Sequence, residues 1–155
     1  MLILSNPPVV VAGHRYWRMH LLTSAYGNAF SFAEVQYRTT PGTPLLFGNK
    51  NNASASSAYG GMPGTYDGTA AADNNPATLW AGNNYANEWW QYDYGAGNAP
   101  VIKEVTIQAR ADSVPDQTPA TFTLQSSDDG STFTNVQSFT ATTWAVGQIQ
   151  VFTLT

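Results

Sequence analysis

An aspartate, a threonine five residues later and a tryptophan two beyond that stand in Ala71-Ala72-Asp73-Asn74-Asn75-Pro76-Ala77-Thr78-Leu79-Trp80. A carboxylate, a hydroxyl and the free carbonyls of a loop rich in small and amide residues suit a hard cation such as calcium, which takes ~6–8 oxygens. A plainer alternative stays open: Asp73 and Thr78 hydrogen-bond only their own loop. A second dense stretch follows, Glu88-Trp89-Trp90-Gln91-Tyr92-Asp93-Tyr94-Gly95. Tyr85, Trp89 and Trp144 sit in or beside loops, as do Tyr59 and Tyr66. Exposed rings there can stack on a sugar or anchor a protein.

Other chemistries find little support. The chain has no cysteine, which removes disulfides, thiolate metal sites and cysteine nucleophiles. His14 and His20 lack a second ligand cluster, so zinc is not expected. There is no Ser-His-Asp order, no paired-carboxylate cleft and no glycine-rich phosphate loop. The reading is non-enzymatic. Net charge is −4, and the six Lys and Arg are scattered, so neither nucleic acid nor an anionic membrane is an expected partner.

The elements that must position these residues read as strands. Hydrophobic content is 43% and charged content only 10%, against a usual charged share of ~25%. Solubility then rests on Thr, Ser, Asn, Gln and Gly, as in turn-rich all-β domains. Residues 1–13 read as an arm, and Asn6-Pro7-Pro8 bars a helix start. Strands are expected over 14–22, 32–38, 88–94, 101–109 and 148–154. A hairpin over 121–139 turns at Asp128-Asp129-Gly130-Ser131. In 101–109, Val101, Lys103, Val105, Ile107 and Ala109 share one face; Ile102, Glu104, Thr106, Gln108 and Arg110 share the other. Residues 42–87 are irregular, a length that suggests function or ligand ordering. The fold class is all-β, an antiparallel β-sandwich of jelly-roll type spanning residues 14–155.

Asp73 to Trp80, Trp89-Trp90-Gln91-Tyr92-Asp93-Tyr94-Gly95 and the run from Phe122 to Phe133 resemble the discoidin, or coagulation-factor C-type, domains. These are galactose-binding-like jelly rolls that include family 32 carbohydrate-binding modules. Their loop pattern is Ala-x-Asp-Gly-x-x-x-Thr-x-Trp; here Asn74 stands in place of the glycine. Strands like Arg15-Tyr16-Trp17-Arg18-Met19 and Ala33-Glu34-Val35 close such domains at the C-terminus. Here they come first, which implies a circular permutation.

The resemblance implies a structural calcium held by Glu34, Asp73, Asn75 and Thr78, with Asn75 offering a side-chain or carbonyl oxygen. It extends in style to accessory domains of tailed-phage virions. The expected function is therefore a virion structural module, a capsid decoration, cement or tail-associated protein that adheres to other virion proteins and self-associates in the particle. The N-terminus lacks a basic n-region and is broken by Pro7-Pro8, so no signal peptide is expected, in keeping with a virion location. The alternative is a module that binds a cell-surface glycan.

Overall fold

A computed structural model describes residues 12–27, 29–43, 47–84 and 86–155. Most of the expected arm, and Tyr85, lie outside the described residues. Among the described residues the chain forms ten strands, β1 (Tyr16–Ser24), β2 (Ser31–Phe32), β3 (Glu34–Arg38), β4 (Ala53–Ala55), β5 (Trp80–Ala81), β6 (Trp89–Asp93), β7 (Glu104–Gln108), β8 (Pro119–Ser127), β9 (Thr134–Thr140) and β10 (Ile149–Thr153). Among the described residues the only helical segments are single 3₁₀ turns at Lys50–Asn52, Gly68–Ala71 and Pro115–Gln117. None could cross a membrane.

The strands form a five-stranded sheet, β4-β6-β1-β8-β9, a three-stranded sheet, β10-β7-β3, and the short pair β2-β5. All pairings are antiparallel. Period-two alternation sends Trp17, Met19 and Leu21 of β1, Trp90 and Tyr92 of β6, and Phe122 and Leu124 of β8 into the core. They meet Val35, Tyr37, Val105, Ile107 and Phe152 from the smaller sheet. The layers touch ring on ring: Tyr37 lies 5.8 Å from Trp90 and Phe122 lies 5.0 Å from Phe152. Phe32 and Trp80, 5.0 Å apart, close one end from the β2-β5 pair.

Strand β1 lies mid-sheet although it comes first in the chain. The His14 amide donates to Pro100 O and the Leu154 amide to Lys103 O, so both ends of the sandwich meet at residues 100–103.

One expectation needs correction. The expected strand 101–109 shortens to Glu104–Gln108, and both of its faces are buried: Ile102, Glu104 and Thr106 as well as Val105, Ile107 and Ala109. Residues 101–103 are not in a regular strand, so period two does not govern them. Glu104 itself is buried, where its carboxylate accepts from Arg38 Nη1 at 2.7 Å.

Candidate functional site

Two regions gather polar chemistry. The first lies on the outer face of the small sheet. β3 pairs with β7 so that Glu34 sits opposite Gln108, and the loop from Ala72 to Thr78 folds over it. Asn74 adopts φ 60°. That left-handed conformation is usually glycine's, and Asn is among the few other residues that tolerate it. This explains how Asn74 replaces the glycine of the loop pattern.

The turn brings two distant acids together. The Asn75 amide donates to Glu34 Oε1 at 2.8 Å and to Asp73 Oδ1 at 3.0 Å. The Thr78 hydroxyl lies 2.9 Å from Asp73 Oδ1, 2.8 Å from Asn75 O and 3.3 Å from Ala70 O. The Asn75 amide is thus shared between two carboxylates and the Thr78 hydroxyl between Asp73 and two carbonyls, while the Thr78 amide also donates to Asn75 O at 3.0 Å. Lys50 Nζ stands outside, half exposed, 4.0 Å from Asp73 Oδ2. Burial pushes the Glu34 carboxyl up to about 7, and the Asp73 carboxylate adds to the rise against the pull of the Asn75 amide. A donor-poor cluster of hard oxygens fits a calcium ion. Asn75 Oδ1 accepts from the Ala77 amide at 3.2 Å, whereas its carbonyl faces the Thr78 hydroxyl and amide at 2.8 and 3.0 Å. Among the described residues no three His, Cys, Asp or Glu side chains gather; hydroxyl and carbonyl oxygens would complete the shell.

The second region is a cavity of about 390 Å³ at the end closed by β2 and β5. Its floor is Phe30, Ala81 and Gly82. Tyr26, Tyr59 and Tyr66 stand around it, 55%, 63% and 37% exposed. Tyr59 and Tyr66 lie 6.1 Å apart, centroid to centroid. The Tyr59 amide donates to Ala81 O at 2.7 Å and the Ala81 amide to Tyr66 O at 3.2 Å, which ties both to β5. Asn83, Asn84, Gln117 and Arg110 supply polar groups.

Beneath this wall lies Glu88, fully buried. Its carboxylate accepts from the Ser56 and Ser57 hydroxyls and from the Asn84 amide at 2.8 Å. Ser57 Oγ in turn accepts from the Asn83 amide at 2.8 Å. The Gly82 Cα packs so closely that a Cβ there would stand 2.8 Å from the Glu88 carboxylate. Glu88 thus fixes residues 82–84 from below.

The residues singled out from sequence divide. Glu34, Asp73, Asn75 and Thr78 converge. Trp89 lies on the outer face of the five-stranded sheet, opposite His20, with the Arg18 guanidinium 5.5 Å over its ring. Trp144 is 6% exposed and donates through Nε1 to Pro119 O at 3.0 Å. It joins the core and presents no platform to a ligand. Tyr85 lies outside the described residues. The cavity's Tyr26, Asn83, Asn84, Arg110 and Gln117 were not singled out, because they come from three separate loops. The run of amides after Trp80 was the available signal.

The model of the F5/8 type C domain family matches residues 52–155. The chain belongs to the F5/8 type C domain family. No curated protein and no solved structure matches it. Domains of this family are non-catalytic modules that bind carbohydrates or other proteins. The match begins after β1 and β3, yet both strands are built into the sheets of this F5/8 type C domain.

Proposed function

We propose that this F5/8 type C domain binds a glycan in the cavity ringed by Tyr26, Tyr59 and Tyr66. The observation that carries the reading is three exposed phenol rings beside amide side chains around a concave space of about 390 Å³. Ligand pockets span ~300–1,000 Å³ and combine apolar walls with a few fixed polar groups. A tyrosine face covers sugar C–H groups while amides receive hydroxyls. Titration with a sugar panel, followed by tyrosine and tryptophan emission and by calorimetry, tests it. Tyr66→Ala should weaken the bound sugar about tenfold, the equivalent of ~1.4 kcal/mol. Absence of binding across neutral and acidic sugars would reject the reading.

Calcium belongs to the same proposal as a structural ion. Glu34 and Asp73 would hold it with Thr78 and the carbonyls of Ala70 and Asn75. When bound, it would supply positive charge beside two carboxylates that share the Asn75 amide.

A second reading, adhesion between protein copies in a virion, is favoured by β10. Val146, Ile149 and Val151 are 57%, 56% and 53% exposed, and β10 ends the three-stranded sheet. The strand carries neither Lys nor Pro, residues that commonly protect such edges. A second copy of the chain is the occupant this reading names, because two edge strands can pair about a two-fold axis. Sedimentation should then show self-association that Val151→Lys abolishes; a monomer at high micromolar concentration would exclude it.

A further inference from the structure

The geometry points to Asp112 as a specificity residue that restricts the cavity to uncharged sugars by occupying the guanidinium of Arg110. This inference rests on the glycan reading and narrows the ligand class within it.

Arg110 is the only charged side chain among the described residues lining the cavity. A lone arginine in a sugar site would ordinarily select a carboxylate or sulfate, because its fork matches such groups in a bidentate way. Here that fork is already filled. Arg110 Nε donates to Asp112 Oδ1 at 2.7 Å and Nη2 donates to Asp112 Oδ2. Nη1 donates to Gln117 Oε1 at 2.8 Å and to Ser31 Oγ at 3.1 Å. Of five N–H groups, these contacts leave one on Nη2. Arg110 is also largely shielded, its side chain 16% exposed, whereas Asp112 is 49% exposed. The Arg110 guanidinium holds the Asp112 carboxyl below the usual carboxylate range, so the pair carries no net charge at neutral pH.

The remaining polar groups are amides and phenols. Asn83, Asn84, Gln117 and the three tyrosines can exchange hydrogen bonds with hydroxyl or acetamido groups. An incoming carboxylate would meet no free cation. The arginine's charge is already met by Asp112, and the chain carries a net charge of −4. Displacing Asp112 would leave that acid without its partner.

Matched sugar pairs test the inference, because a hexose and its hexuronic acid differ only in the oxidation of C6. Dissociation constants for glucose against glucuronic acid and for galactose against galacturonic acid should be measured on the wild type, Asp112→Ala and Asp112→Asn. Asp112→Asn keeps a side-chain oxygen for the Val114 amide, 3.5 Å away in the wild type, and so guards against a collapsed loop; melting temperatures report folding. The wild type should favour the hexose of at least one pair by tenfold or more. Both variants should shift that ratio toward the acid by about tenfold, and the gain should shrink at high salt. A wild type that binds uronic acid as tightly as hexose would overturn the role of Asp112 while leaving the glycan site intact. So would folded variants whose ratio stays unchanged. A wild type that binds neither series would sink the glycan reading and this inference together.

Discussion

Two acidic loops of this domain treat their carboxylates in opposite ways. In the turn between β8 and β9, Asp129 Oδ1 accepts from the Thr132 amide at 2.7 Å, the Ser131 amide at 2.8 Å and the Ser127 hydroxyl at 2.9 Å. These donors hold the Asp129 carboxyl far below the usual range, the Thr132 and Ser131 amides contributing most. In the loop over β3, Glu34 and Asp73 share the Asn75 amide, and burial drives Glu34 the other way. A carboxylate with several donors completes its own turn. Two carboxylates that share one backbone amide at close range leave negative charge that a cation can settle.

That contrast breaks down first if calcium acts equally on both loops or on neither. Calcium at a hundredfold excess over its dissociation constant contributes ~2.7 kcal/mol, which for a chain of this size raises the melting temperature by roughly 5–10 °C. Glu34→Gln should remove that rise, and hydrogen exchange should slow over 73–78 but not over 127–132. An unchanged melt in calcium and in chelator would end the metal proposal.

Next comes the backbone of the self-sufficient turn. Gly130 has φ 73°, and a Cβ there would stand 2.9 Å from the Tyr16 ring. Gly130→Ala should cost about 1–3 kcal/mol in denaturant unfolding, with the calcium response kept.

The pH dependence of the turn has a fixed sign. Asp129 is lowered in the folded state from an ordinary value of 3.8. Its stabilising effect is therefore fully present above about pH 4 and disappears as pH falls through the lowered folded value. The melting-temperature advantage of wild type over Asp129→Asn should be flat from pH 7 to 5 and shrink toward pH 2. An advantage that grows on acidification would contradict the donor geometry.

The smallest effect is expected at Asn74. Asn74→Gly should change stability by no more than about 0.5 kcal/mol, since both residues reach positive φ. At Gly130 the same conformation meets a second obstacle, because the Tyr16 ring fills the space a Cβ would take.

The strands were legible because their signal is local. Trp17, Met19 and Leu21 alternate with polar residues, and Asp129-Gly130 marks its own hairpin. The acidic loop was legible through the spacing of Asp73 and Thr78, but its partner Glu34 came only through resemblance, since register between β3 and β7 places it. Trp144 was misjudged because a loop position hides burial: its ring covers the sandwich and its indole reaches Pro119. The cavity escaped notice for a different reason. Its tyrosines stand at 26, 59 and 66, and no periodicity joins a strand-end turn to an irregular segment.

Glu88 carries one more consequence. By holding Asn84 directly and Asn83 through Ser57 with hydrogen bonds made inside the protein, it gives that wall its shape as the chain folds. Conformational entropy is then surrendered before any ligand arrives, and binding need not surrender it again. Glu88→Gln should therefore show itself chiefly as a less favourable binding entropy, with the contacts to the sugar unchanged.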